Sequence, residues 1–178
     1  QAWADKATVG FALVRSYQGQ TAVATELASN IVDHFTAGPD DQHGRYAYFL
    51  QLLGQTFGAL GKNKRAQDLY ERAIASAEAS HYVQVKAKAL TGLAVLKREQ
   101  GDCEGAIAIH QQAIERCEEI GAKCDTAEAY LQFGLSAQHC NAQNPTAYFQ
   151  RASSIFASIQ APRQVERVKR TSLSPLSE

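Results

Sequence analysis

The chain has 178 residues, 45% hydrophobic and 20% charged, and its 18 basic and 18 acidic side chains cancel to a formal net charge of zero. That balance excludes a disordered chain and offers no electrostatic footprint for nucleic acid or an anionic membrane. No apolar run approaches the roughly 20 residues of a membrane span, no charged-then-apolar leader opens the sequence, and the absence of Met, position 1 included, reads as a piece of a larger protein.

Helical periodicity dominates from the start. Ala2 to Gln18 and Thr21 to Thr36 read as a first helical hairpin broken at Gly19, with a polar exit through Gly38-Pro39-Asp40-Asp41. Phe49, Leu50, Leu53, Phe57 and Leu60 then recur at spacings of three and four, followed after Gly61-Lys62-Asn63 by Ala66, Leu69, Tyr70, Ala73, Ile74 and Ala77. A third hairpin runs through Ala87, Leu90, Leu93, Ala94 and Leu96, breaks at Gly101-Asp102, and continues through Ala106, Ile107, His110, Ala113, Ile114 and Cys117. Thr126 to His139 and Pro145 to Ile159 form a fourth, with Asn144 as N-cap and Pro145 at the first helical position. Breaks this short force antiparallel neighbours. Pro162 opens a last helix to Arg170, whose Val165 and Val168 can cover the edge of the fourth hairpin while Arg163, Glu166, Arg167, Lys169 and Arg170 face outward. The predicted organisation is one domain over 1–170, with hairpins at about 2–37, 45–80, 83–121 and 123–160, a cap at 162–170 and a flexible tail at 171–178. No alternation of β type interrupts it.

Shifted by about 40 residues, the chain matches itself. Gly61, Ala66, Tyr70, Ala73 and Ile74 fall on Gly101, Ala106, His110, Ala113 and Ile114, and Leu50 and Leu53 on Leu90 and Leu93. Such a repeat unit cannot bury its apolar face alone, so stacking supplies the core and leaves a long concave surface suited to binding. Small residues at Gly54, Ala66 and Ala73 let helices approach, and Tyr70 and Phe149 act as bulky plugs between hairpins.

The pattern Leu53-Gly54, Phe57, Ala66, Tyr70, Ala73, repeated in part by Leu93, Ala106 and Ala113 and by Phe133-Gly134, Phe149 and Ala152, resembles that of tetratricopeptide repeat proteins. Its period is that of the longer-helix variety found in cargo-binding light chains, polarity adaptors and sensor regions of bacterial regulators. The resemblance implies an all-α, right-handed superhelical solenoid of four antiparallel hairpins with a C-terminal capping helix. It also implies a cytoplasmic adaptor or scaffold that binds a peptide or helical segment of a protein partner. The alternative is an effector-sensing or regulatory segment of a larger signalling ATPase or transcription regulator. Self-association through the end hairpins is a further possibility.

Chemistry is sparse. Gly58-Ala59-Leu60-Gly61-Lys62-Asn63 brushes against a phosphate-binding loop but has a misplaced first glycine, Asn63 where Ser or Thr is needed, and a helix where a strand should precede. His110 stands at an aromatic plug position and reads as a satisfied core histidine; His34, His43 and His81 have no paired nucleophile or carboxylate. Among the cysteines, helix geometry brings Cys103 toward Cys140 and Cys117 toward Cys124. Two disulfides are therefore conceivable, buried thiols are preferred in the absence of a secretion signal, and a metal site from Cys103, His139 and Cys140 ranks below both. The expectation is no catalytic residue, no metal and no cofactor.

In the family it resembles, the first helix of each hairpin lines the concave side. Carried over by position, that face holds Val9 and Leu13; Tyr48, Gln51, Leu52 and Gln55; Lys88, Thr91, Val95 and Arg98; and Glu128, Leu131, Gln132 and Leu135. The carboxylate-clamp positions of chaperone-binding members hold Val9, Leu13, Leu52, Lys88 and Gly92, so only the lysine matches. Lys88 and Arg98 form a basic pair on one helix, suited to a partner with apolar anchors and an acidic residue.

Overall fold

A computed structural model describes residues 2–36, 45–142 and 144–173. The Gly38-Pro39 connection and the tail from 174 onward lie outside the described residues. Among those described there are nine α-helices and no strand: α1 Ala2–Tyr17, α2 Thr21–Thr36, α3 Arg45–Ala59, α4 Asn63–Ala79, α5 Val83–Glu99, α6 Cys103–Glu119, α7 Lys123–His139, α8 Pro145–Ser158 and α9 Pro162–Leu173. They divide into two compact units, residues 1–93 and 94–178, with the boundary inside α5.

The turns show why the helices stop where they do. Seven of them close the preceding helix on a residue in the left-handed region: Gly19, Gly61, Gly101 and Asn141 within hairpins, His81, Gly121 and Gln160 after second helices. Each carries the same pair of hydrogen bonds. After α3, for example, Lys62 N donates to Phe57 O (2.9 Å) and Gly61 N to Gly58 O (2.9 Å); after α4, Tyr82 N donates to Ala77 O and His81 N to Glu78 O. This is the Schellman closure, which satisfies the last carbonyls of a helix and is easiest for glycine. The repeat of about 40 residues is thus written in the backbone even where the glycine is missing.

In the first unit, α1 and α2 form one antiparallel hairpin, α3 and α4 another, and α1 and α2 both pack on α3. Tyr70 of α4, 4% exposed, is the wedge. A Cβ on Gly54 of α3 would lie 2.8 Å from its Cδ1, and one on Gly92 of α5 would lie 2.3 Å from its Cζ. Neither position can carry a side chain while the ring stays put.

In the second unit, Phe149 of α8 plays the same part against Gly134 of α7, where a Cβ would lie 2.7 Å from Cε1. Beside it, the His110, Phe133 and Tyr148 rings stack in a row at centroid spacings of 5.3 and 4.0 Å. The outer edge is sealed by α9: Val168 joins the cluster of Ala127, Leu131, Phe149, Ala152 and Phe156, with Val165 packed against it. The helix continues to Leu173, past the expected end at Arg170. Asn144 does occupy the N-cap position of α8, but its side chain makes no capping bond; it contributes a left-handed turn (φ 59°) ahead of Pro145. A capping side chain does occur at Asp102, which accepts from Gly105 N at 2.9 Å.

Gly92→Ala is expected to destabilise the protein by about 1–3 kcal/mol, as overpacking of a rigid core does. Gly10→Ala, on α1 where an added Cβ meets nothing within 4 Å, should be neutral or stabilising by up to about 1 kcal/mol. Urea unfolding of the two variants measures the contrast.

Candidate partner-binding surface

The first helices of the hairpins carry the residues expected to meet a partner, and the two units are taken separately. In the first, α1 and α3 are joined by a polar ladder. Gln51 Nε2 donates to Gln55 Oε1 (3.4 Å), and Gln55 Nε2 donates to the Tyr17 hydroxyl (2.6 Å). Tyr17 and Tyr48 are exposed, at 63% and 43%, and Gln55 is half-buried. Gln51 is only 3% exposed and its Oε1 has no hydrogen-bond partner among the described residues. It therefore supports the surface from beneath. On the α5 segment of this unit, Lys88 and Thr91 are half-buried, and the Thr91 hydroxyl is turned back onto Ala87 O (3.0 Å).

In the second unit the predicted residues separate. Val95 is half-buried. Leu131, at 1% exposure, belongs to the core cluster that α9 seals, and Leu135 packs against that cluster. Glu128 is engaged: Arg167 Nη2 donates to both carboxylate oxygens at 2.7 Å, and Gln132 Nε2 donates to Oε1 at 2.9 Å. The helix expected only to cap the array thus also engages Glu128 of α7, one of the residues expected to meet a partner. Nothing in the sequence pairs Glu128 with a residue 39 positions away, although the apolar spacing of α9 was visible.

Arg98 needs the larger correction. Its side chain is only 15% exposed, its Nη1 is buried without a hydrogen-bond partner among the described residues, and Glu99 stands 3.9 Å from Nη2. Burial draws its pKa below the usual guanidinium value, with Glu99 acting the other way. It is a half-sunk cation, unlike the surface charge expected. Reversing it to Glu would bury a carboxylate beside a hydrophobic core, so the variant would test folding before binding.

His110 lies beneath the same surface. It is fully buried and its Nε2 is 2.8 Å from Ser136 Oγ, but Nδ1 has no partner among the described residues, so the expected satisfied histidine is satisfied on one side only. Burial, with a smaller contribution from the Arg98 charge, lowers its pKa from 6.5 to about 3. Nearby, Cys103 at the start of α6 and Cys140 at the end of α7 form a disulfide with their Cα atoms 5.6 Å apart, overturning the preference for thiols at that pair. Cys117 and Cys124 are not disulfide-bonded, the first buried and the second exposed. Bonding withdraws two donors from the triad of Cys103, His139 and Cys140, and no group of three or more His, Cys, Asp or Glu converges among the described residues. The side chains of His34 and His43 lie outside the described residues.

The sequence model of the tetratricopeptide repeat family matches residues 87–120, most of α5 through α6. Comparison with curated protein sequences finds no significant match. Solved structures share the fold. Aspartyl phosphate phosphatase F from Bacillus subtilis superposes with a TM-score of 0.76 at 16% identity, over 94% of this chain and 44% of its own, so the chain spans less than half the length of that protein. A Podosopora anserina putative kinesin light chain with nearly identical TPR-like repeats gives 0.69 at 14% identity, over 93% and 85% of the two chains. BtubC (BKLC) from P. vanneervenii gives 0.56 at 14% identity, over 94% and 81%. The described residues thus fold as an all-α array of tetratricopeptide-like helical hairpins, and the stretch 87–120 carries the sequence signature of that repeat.

Two outcomes follow from the buried residues. Below pH 6.5 the unfolded chain takes up a proton at His110 that the folded chain refuses until about pH 3. Stability therefore falls as pH drops through that window, and His110→Phe should flatten the fall in urea titrations at successive pH values. Cys103→Ser with Cys140→Ser opens a loop of sequence separation 37 and should cost about 2–4 kcal/mol, whereas Cys124→Ser should leave the unfolding midpoint unchanged.

Proposed function

We propose that the chain is a protein-interaction scaffold whose first-helix faces hold a peptide or helical segment of a partner. The observation that carries this reading is in the first unit: the exposed Tyr17 hydroxyl accepts from Gln55 across two helices, and a second exposed phenol, Tyr48, lies two turns before Gln55 on α3. Amphipathic aromatics on rigid elements bind with little entropy loss, and Gln55 can exchange bonds with a partner's backbone. Lys88 adds a cation on the same unit. In the second unit Val95, Arg98, Gln132 and Leu135 are the remaining candidates, and Glu128 becomes available only if Arg167 releases it. Gln51 and Leu131 act as supports. This reading assigns the chain no reaction, metal or cofactor.

The likeness to the phosphatase favours a second reading, in which the array is a regulatory segment of a longer signalling protein. Among the described residues no helix is long and apolar enough to cross a membrane. The cytoplasmic location expected from the sequence sits poorly with the Cys103–Cys140 bond, because reducing compartments keep such pairs as thiols.

Tyr48→Ala combined with Lys88→Glu should weaken partner binding by about 1–3 kcal/mol while the helical circular dichroism signal and melting point stay near those of the parent. The partner is to be captured from the native host and then titrated against both proteins. Equal affinities would move the binding surface elsewhere on the chain.

A further inference from the structure

The Cys103–Cys140 bond joins two unlike helix ends. Cys103 is the first residue of α6, two positions after the left-handed Gly101, and Cys140 closes α7, immediately before the left-handed Asn141. Each of these helices is 17 residues long. An α-helix carries partial positive charge at its amide end and partial negative charge at its carbonyl end. A thiolate is therefore stabilised at Cys103 and disfavoured at Cys140. The charges beside Cys103 leave that difference standing. Asp102 accepts from Gly105 N (2.9 Å) and is paired with Lys97 Nζ (3.1 Å), which leaves Glu104 to oppose the bias. On the other side exposed His139 precedes Cys140. Both bonded cysteines are half-buried, so a small thiol can reach them from solvent.

We infer that the Cys103–Cys140 bond is a thiol-exchange site with a fixed direction, at which a dithiol reductant bonds first to Cys140 and displaces Cys103. Exchange runs faster through the sulfur whose partner leaves as the more stable thiolate, and the two helix ends both favour Cys103 as that leaving group. In the first step a thiolate of the reductant attacks Cys140 Sγ, the protein's S–S bond breaks, and its electron pair departs on Cys103 Sγ. In the second step the reductant's other thiol, deprotonated, displaces Cys140 and closes the reductant's own disulfide. Two electrons pass to the protein, and the two protons given up by the dithiol are available to the cysteine thiolates. After the first step the Cys103 thiolate stays close to the mixed disulfide, since the Cα atoms of the bonded pair are 5.6 Å apart. It can attack Cys140 again and expel a monothiol, so a dithiol completes the reduction where a monothiol is turned back. Opening the bond unties the turn of the third hairpin from that of the fourth. The inference does not rest on the partner-binding surface.

The test uses the full chain with Cys124→Ser, which removes the exposed competing thiol. It is treated with glutathione at about pH 8, where ordinary thiols are partly ionised, and quenched at intervals with N-ethylmaleimide. Peptide mass spectrometry then locates both labels. The expected product carries glutathione on Cys140 and maleimide on Cys103, in excess of the reverse product by about three- to tenfold. Glu104→Gln should enlarge that ratio, and dithiothreitol should convert the same protein to the two free thiols without urea. Equal amounts of the two products, or an excess of the reverse one, would overturn the inference. So would the same ratio in the urea-unfolded chain, because local sequence and not the helix ends would then set the direction. A bond that neither reagent opens until the chain is unfolded would be a structural crosslink alone, which also ends the proposal.

Discussion

Tyr70 rests its ring on two positions that have no side chain, Gly54 on α3 and Gly92 on α5, and the first unit depends on that contact. A helix that sends a large ring between two others holds them at a fixed separation, and the missing Cβ atoms let the backbones come close enough for dispersion to act over the whole interface. The same solution appears in the second unit with Phe149 on Gly134. Where the wedge is His110, packing is completed differently. Its ring stacks on Phe133 and binds Ser136, so a polar contact replaces part of the volume of the aromatic ring. The cost is an unpartnered Nδ1 in the interior.

Most of this architecture was legible in the sequence because it follows from spacing. Apolar residues at three and four place the helices, and a shift of 40 places the hairpins. What was hidden has a common cause: it depends on distances between residues that share no local pattern. Asn144 looked like a capping side chain from its position before Pro145, yet the turn needed its backbone in the left-handed region and left the side chain unused. His81 and Gln160 hold the turn conformation that glycine holds elsewhere, and only the register of the repeat could have revealed them. Arg98 was read as a surface cation because it shares a helix with Lys88. A long side chain can still lay itself along the apolar surface beneath it, and here it does.

The candidate binding residues divide along the same line. Those identified by position alone ended in three environments: Tyr48 in the open, Gln51 and Leu131 in the interior, and Glu128 in the grip of Arg167. Repeat-equivalent positions are equivalent in backbone geometry, but their exposure depends on what each unit packs next to them. For the fourth hairpin that neighbour is α9, which turns would-be contact residues into an internal interface. The first hairpin has no counterpart to α9 among the described residues, and Phe11 and Val14 of α1 are exposed there.

The Cys103–Cys140 bond also changes how the chain would carry mechanical load. Tension applied to the two ends passes through the sulfur atoms and bypasses everything between them. The 37-residue span of α6 and α7 would then contribute none of the roughly 130 Å that its extended backbone could reach. An array of helices otherwise gives way piece by piece under tension. This crosslink would keep α6 and α7 joined while the helices outside it unravel.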